Sequence, residues 1–240
     1  MNRAVESSVN YDSGWQIWND MIRYSPAPFH RRRLVLRALR GLRFSSLLDV
    51  GCGNGETLMA VAREHEATFM GVDLSPLVIA ENTRKLPRLR FATLNVEDSA
   101  LDEVFDVVLC SEVLEHCMNL EQAIRNLRKM TRRYLILTVP GGPRFPIDRA
   151  MGHHRHFAAR PLAEALERHD FAVDTMLHWG FPFHPLYKLA INCRPEAMID
   201  GFAGGTYGSV QKMVGLVLRG LFYLSVPGLG WQLVVVARAA

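Results

Sequence analysis

At 240 residues and 49% hydrophobic content, the chain can bury one sizeable core with room for a small lid, and it is too apolar to stay disordered. Its four cysteines, Cys52, Cys110, Cys117 and Cys193, form no C-x-x-C pair, which excludes a zinc knuckle or redox pair and fits a reducing, cytoplasmic setting. A net charge of +4 looks basic, but the cations are unevenly spread.

The residues Met1 to Asp12 have no apolar core and do not read as a secretory signal. The segment Asn10–Arg43 carries Tyr11, Trp15 and Trp18, then Arg31, Arg32, Arg33, Arg37, Arg40 and Arg43. Between these arginines runs an apolar stripe, Leu34, Val35, Ala38, Leu39 and Leu42, the pattern of a helix with one face on a core. The arginines suit a phosphate, an anionic lipid or a nucleic acid, and equally a solvated helix face.

From Ser46 onward, strand and helix patterns alternate, which argues for a mostly parallel sheet covered on both faces. Strands are expected at Ser46–Val50, Thr68–Asp73, Leu89–Val96, Phe105–Ser111, Tyr134–Val139, Phe171–Trp179 and Trp231–Arg238. Helices are expected from Glu56 to Glu66, from the Ser75-Pro76 cap to Leu86, and from the Asn119-x-x-Gln122 capping box to Met130. A histidine-rich loop follows Pro140-Gly141-Gly142-Pro143, and Arg160-Pro161 opens a helix ending at His169. Phe181–Gly208 is rich in aromatic residues, proline and glycine. Gly220–Ala237 contains no charge, yet Pro227, Gly228 and Gly230 interrupt it and Gln232 would sit unpaired in lipid. It reads as the end of a helix through Leu224, a turn and a last strand, with no transmembrane span. Peripheral contact with a membrane is left open.

The most informative stretch is Asp49-Val50-Gly51-Cys52-Gly53-Asn54-Gly55. A strand entering a glycine turn and then a helix lets a ligand approach main-chain N–H groups and a helix N-terminus. The spacing is G-x-G-x-G with an acidic residue before it, unlike the G-x-G-x-x-G that seats a pyrophosphate. A carboxylate there suits a cationic amino-acid headgroup. Asp73, twenty residues after Gly53, can accept two ribose hydroxyls. Asn95-Val96-Glu97 ends the third strand, and Cys110-Ser111-Glu112 ends the fourth.

These four motifs, in this order at strand ends, resemble the class I S-adenosylmethionine-dependent methyltransferases over roughly Arg43–Trp179 and the final strand. The resemblance implies an α/β fold: a doubly wound, seven-stranded, mostly parallel sheet of the Rossmann-like methyltransferase type, with the last strand antiparallel beside the fifth. It implies one domain, with residues 10–43 as an N-terminal helical cap, 44–180 as the cofactor-binding core, 181–226 as a lid before the last strand, and 231–238 as that strand. It also implies S-adenosylmethionine as cofactor, held by Asp49, Gly51, Cys52, Gly53, Gly55, Asp73, Leu74, Asn95, Val96, Glu97 and Ser111, with Asn95 and the Val96 backbone, or alternatively Asp98, meeting the adenine amino group.

On the acceptor side, Glu112-Val113-Leu114-Glu115-His116 spaces Glu112, Glu115 and His116 to share one face of a helical turn. Two carboxylates and an imidazole suit a divalent cation. The string is similar to the E-x-x-E-H of ubiquinone-pathway O-methyltransferases and of small-RNA 2′-O-methyltransferases, where it holds a metal. That likeness implies a metal site, for magnesium or a similar ion, of Glu112, Glu115, His116 and His153, the last lying four residues ahead of Phe157. The same string also occurs in metal-free relatives, where it caps a helix and shapes the pocket; His116 or His153 is then the general base. The expected reaction is methylation of a small, apolar or aromatic hydroxyl compound. The alternatives are 2′-O-methylation of RNA and a non-catalytic S-adenosylmethionine-binding protein. The absence of an added RNA-binding module disfavours nucleic acid.

Overall fold

The computed structural model describes residues 19–193 and 206–240; Tyr11, Trp15, Trp18 and Phe202, which the sequence reading placed in the cap and lid, lie outside them. Seven strands form one sheet: β1 Ser46–Val50, β2 Thr68–Asp73, β3 Arg90–Thr93, β4 Phe105–Ser111, β5 Thr131–Pro140, β6 Phe171–Trp179 and β7 Gln232–Ala239. Their order is β3-β2-β1-β4-β5-β7-β6. The pairings among β1 to β5 are parallel, and β7 runs antiparallel between β5 and β6. This is the doubly wound, mostly parallel sheet that the resemblance implies.

Helices α1 Asn19–Tyr24 and α2 Pro26–Leu39 precede the sheet. Helices α3 Glu56–Glu64, α4 Pro76–Lys85 and α5 Leu120–Met130 connect the parallel strands. After β5 come α6 Pro146–Ala150 and α7 Ala159–Glu167, and after β6 come α8 Phe183–Asn192 and α9 Ser209–Phe222. Local chemistry accounts for the caps: Ser75 Oγ accepts from Val78 N–H at 3.2 Å, and Asn119 Oδ1 accepts from Gln122 N–H at 3.1 Å. The Asn119 box is one-sided, because Gln122 Nε2 donates to Asn126 Oδ1 at 3.1 Å.

Alternating strand residues feed two cores, as the period of two requires. Leu48, Val108, Cys110, Leu135 and Leu137 pack with Ile124 and Leu127 of α5 and Leu162 and Leu166 of α7. Leu47, Val107, Leu109 and Ile136 pack on the other face with Val35 and Leu39 of α2 and Leu58 and Val61 of α3. The apolar stripe among the arginines is therefore core. Strand β3 is shorter than its hydrophobic pattern because it is an edge and pairs only with β2, from Met70↔Arg90 to Asp73↔Thr93. Strand β5 is longer because Thr131 pairs with Phe105 before a bulge and Pro140 pairs with Gln232 beyond Val139.

Four parallel strands end at one edge of the sheet, at Val50, Asp73, Thr93 and Ser111. In open α/β sheets ligands bind outside the carboxyl ends of the strands, where strand order reverses. Here the reversal falls between β1 and β4.

Candidate active site

A cavity of about 410 Å³ opens at that edge. Asp49, Gly51, Cys52, Asp73, Leu74, Asn95, Val96, Glu97 and Ser111 line one part of it, and Glu112, His116 and His153 line another. Gly53, Gly55 and Glu115 are not among the residues that line it.

The glycine turn works differently from the simple reading of exposed N–H groups. Gly51 and Cys52 donate to Val72 O at 2.8 and 2.9 Å, and Gly55 donates to Cys52 O at 2.9 Å. Gly53 donates to Asp73 Oδ2 at 3.0 Å. These N–H groups are already engaged within the fold, so the turn serves the cavity chiefly by lacking side chains. Gly51 has φ 72°, and a Cβ there would lie 2.3 Å from Cγ2 of Val113.

Asp73 is buried and clamped, since Ser75 N–H donates to its Oδ1 at 3.0 Å. These bonds orient the carboxylate at the cavity wall. Asp49 is buried beside it, and burial together with the Asp73 charge raises its pKa to about 8. Burial also pushes the Cys52 thiol well up, with Asp49 and Asp73 adding to the effect, so it is no nucleophile near neutrality. Leu74 is exposed on the cavity rim, an apolar surface next to a slot formed with Leu94 and Val96. The Asn95 side chain is used in its own turn, its Oδ1 accepting from Glu97 N–H at 3.1 Å and its Nδ2 donating to Asp98 Oδ2 at 2.8 Å. Val96 O accepts from Asn126 Nδ2 at 2.8 Å, and Glu97 Oε1 accepts from Asn119 N–H at 2.6 Å.

The E-x-x-E-H segment is a turn, not a helix. His116 N–H donates to Val113 O at 2.9 Å and Cys117 N–H to Leu114 O at 3.3 Å, so one tight turn joins β4 to α5. Glu112 stands before it with φ 57°, a left-handed conformation that requires support from its surroundings. That support is on hand: Glu112 N–H donates to Thr138 O at 2.8 Å, and its carboxylate accepts from Arg31 at 2.7 Å and from Thr138 Oγ1 at 3.2 Å. Glu112 is thereby drawn to α2, away from Glu115.

The structure instead brings Glu115, His116 and His153 together, one donor atom of each lying within 4.8 Å of the others. A second group of Asp148, His153 and His156 shares His153. Glu115 is fully buried, and neither carboxylate oxygen has a hydrogen-bond partner. Burial and the Glu112 charge drive its pKa well up. Burial lowers His116 to about 4 and His153 to about 2, so both imidazoles are neutral near pH 7.

Carbonyl partners assign their tautomers. His116 Nδ1 donates to Gly152 O at 3.2 Å, which makes Nε2 the lone-pair nitrogen. His156 Nδ1 donates to Gly142 O at 3.2 Å, so its Nε2 accepts from His153 Nδ1 at 3.2 Å. His153 Nε2 then carries the lone pair.

Sequence reasoning missed α6 and what it carries. Pro146 in the first turn and Asp148 at its third position signal a helix, and Asp148 Oδ2 accepts from Phe145 N–H at 2.9 Å. Asp148 is buried and ion-paired with Lys188 of α8. His184 of α8 and Gln232 of β7 also line the cavity; Gln232 Nε2 donates to His184 Nε2 at 3.4 Å, while His184 Nδ1 and Gln232 Oε1 have no partner. These residues are scattered over the chain, and only Asp148 had a local signal.

Comparison with known proteins agrees with this geometry. Residues 48–133 match a family model described as a methyltransferase domain. That match spans about a third of the chain and ties this segment to the methyltransferase domain. A ubiquinone biosynthesis O-methyltransferase of Rickettsia akari is 34% identical over 89 residues, 35% of this chain and 34% of that protein; the chain thus aligns with only about a third of that relative's length. Among solved structures, the [4+2]-cyclase SpnF superposes with a TM-score of 0.65 at 19% identity, covering 95% of this chain and 93% of that one. The N-methyltransferase NodS from Bradyrhizobium japonicum, in complex with S-adenosylhomocysteine, gives 0.61 at 17% identity, covering 96% and 98%. The glycine turn and Asp73 fall inside the matched residues, as do Glu112, Glu115 and His116. His153 and the lid helices fall outside them.

Proposed function

We propose that this methyltransferase domain transfers a methyl group from S-adenosylmethionine to a hydroxyl of a small apolar or aromatic acceptor. The observation that carries the reading is a single cavity with two chemically distinct ends. One end has Asp49, Asp73 and the apolar slot of Leu74 and Val96; the other has the neutral imidazoles of His116 and His153. S-adenosylmethionine supplies an activated methyl group, so the chain has to hold an acceptor oxygen in line and keep water out. Asp73 holds the ribose and Asp49 the cationic headgroup. The lone pair on His116 Nε2 or His153 Nε2 orients the acceptor O–H and takes its proton.

Those imidazoles are weak bases. With His116 lowered to about 4, accepting a proton from a phenol of pKa ~10 is uphill by roughly 8 kcal/mol. A divalent cation held by these imidazoles would relieve this by lowering the acceptor's pKa; their lone pairs would then be occupied, and the acceptor proton would leave to solvent. The donor set fits one: two neutral imidazoles and the orphaned, buried Glu115 carboxylate. Two nitrogens and one carboxylate suit an ion of intermediate character better than magnesium. Glu112, tied to Arg31, supports the turn from outside this set.

His184 and Gln232, with their unpartnered atoms, mark a polar spot for a second acceptor group. RNA is the weaker reading, because Arg31 and Arg32 are engaged with Glu112 at 2.7 Å and Glu56 at 2.5 Å and do not form an open phosphate track. The test is incubation with methyl-labelled S-adenosylmethionine and a panel of ring-hydroxylated aromatics, with amines and RNA as comparison. Label should appear as a methyl ether, with matching S-adenosylhomocysteine. Label in the amine or RNA alone, or cofactor binding with no transfer to any of the three, refutes the reading.

A further inference from the structure

Helix α9 is apolar around nearly its whole circumference. Its inner face is packed: Phe222 is fully buried, and a Cβ at Gly215 would lie 2.6 Å from Tyr24 O. The outer face is equally apolar and bare. Val210, Met213 and Val217 are 70%, 62% and 60% exposed, and Leu224, just past the helix, is 68% exposed. Leu216, Val214 and Leu221 widen the stripe to an arc of roughly 160° at 3.6 residues per turn. Among the described residues nothing packs on it. The patch continues into Val226 and Leu229 of the following turn, while Leu186 and Leu189 are exposed on neighbouring α8. Contiguous exposed apolar surface of this kind marks an interaction site.

Charge indicates what covers it. From Gly201 to Ala240 the chain contains no Asp or Glu, so no carboxylate of this segment interrupts the stripe. Cations stand along one edge of it. Arg33 of α2 lies over the Tyr223 ring at 4.3 Å, Arg219 over Phe29 at 4.7 Å, and Lys212 over Tyr24 at 5.1 Å. Arg33 Nε and both Nε and Nη2 of Arg219 are buried without a hydrogen-bond partner, while the half-buried Lys212 makes a loose contact with Asp20 at 3.8 Å. An apolar face edged by a tyrosine and by cations whose stems lie along aromatic rings is the pattern of a helix lying in a bilayer interface. No helix among the described residues is long and apolar enough to cross a membrane, so the contact lies in the membrane plane.

We propose that the outer face of α9, with the turn after it, docks this protein onto an anionic lipid surface. The docking does not depend on the methyl-transfer reading, but its use does. Tyr187, Lys188 and Ile191 of α8 line the cavity, while Leu186 and Leu189 of the same helix face outward beside the stripe. An apolar acceptor dissolved in the bilayer would thus meet the lid directly.

The test is flotation of the full chain with vesicles of phosphatidylcholine alone and of phosphatidylcholine with phosphatidylglycerol. Binding to the anionic vesicles is expected, weakening as salt is raised. In Val217→Glu and Met213→Glu it should fall by roughly tenfold or more, the factor for losing one buried aliphatic side chain. S-adenosylhomocysteine affinity serves as the folding control, since neither residue lines the cavity. Equal binding to neutral vesicles, or wild-type binding unaltered by both substitutions, overturns the proposal. So does a dimer abolished by Val217→Glu in a protein that ignores vesicles. Vesicle binding without methyl transfer would uphold docking and refute only the acceptor reading.

Discussion

Asp49 sits between two tasks, closing a buried strand and facing a cation. Burial and Asp73 lift its pKa from 3.8 to about 8, so the folded protein holds this proton more tightly than the unfolded chain does. Between those values Asp49 therefore lowers stability progressively as pH rises. A cationic cofactor needs the ionised form, so affinity for S-adenosylmethionine should rise with pH toward about 8, by up to tenfold per unit. Calorimetry at pH 7 in buffers of different ionisation enthalpy should register proton release on binding, and Asp49→Asn should abolish it.

Glu115 offers a second check at the same scale. Its raised pKa means that its charge destabilises the fold increasingly above the ordinary carboxyl range. Glu115→Gln should therefore raise the melting temperature of metal-free protein at pH 8 more than at pH 5. Manganese should stabilise the parent at pH 8 and leave Glu115→Gln unmoved. If both respond alike to the ion, Glu115 is not a ligand.

At the scale of elements, the β1–α3 turn depends on a close approach. Gly51→Ala forces an L residue to φ 72° and drives a Cβ to 2.3 Å from Val113. A loss of about 2 kcal/mol or more is expected from the two effects together, measured by urea unfolding. Val113→Ala in the same chain should recover the packing part and leave the backbone part, which a double-mutant cycle separates. Strands β1, β2, β4 and β6 have the boundaries read from sequence, because each is a continuous run between clear breakers. Strands β3 and β5 differ because their ends are decided by neighbours. The E-x-x-E-H string misled for a related reason. Its spacing is compatible with a helix, but Glu112 is held in the left-handed region by Thr138 and Arg31, both distant in sequence.

For the molecule as a whole, the cavity gathers residues from the ends of β1, β2 and β4, the loop after β3, helices α2, α6 and α8, and strand β7. A ligand there ties the sheet to helices α6 and α8. S-adenosylhomocysteine at a hundred times its dissociation constant should stabilise the fold by ~2.7 kcal/mol, seen as a higher melting temperature. Asp73→Ala should erase most of that shift at the same ligand concentration.

What the amino-acid order alone determined is what depends on neighbours in the chain: strand and helix periods, caps, the glycine turn, and the carboxylates spaced along the strand ends. These features rest on local sterics and hydrogen bonds, so they can be read a few residues at a time. Only the tertiary structure decided which side chains meet. It drew Glu112 to Arg31, set His153 beside Glu115 and His116, buried Asp148 against Lys188, and, among the described residues, left the outer face of α9 exposed. Such encounters join residues tens of positions apart through packing and desolvation, which no local pattern encodes.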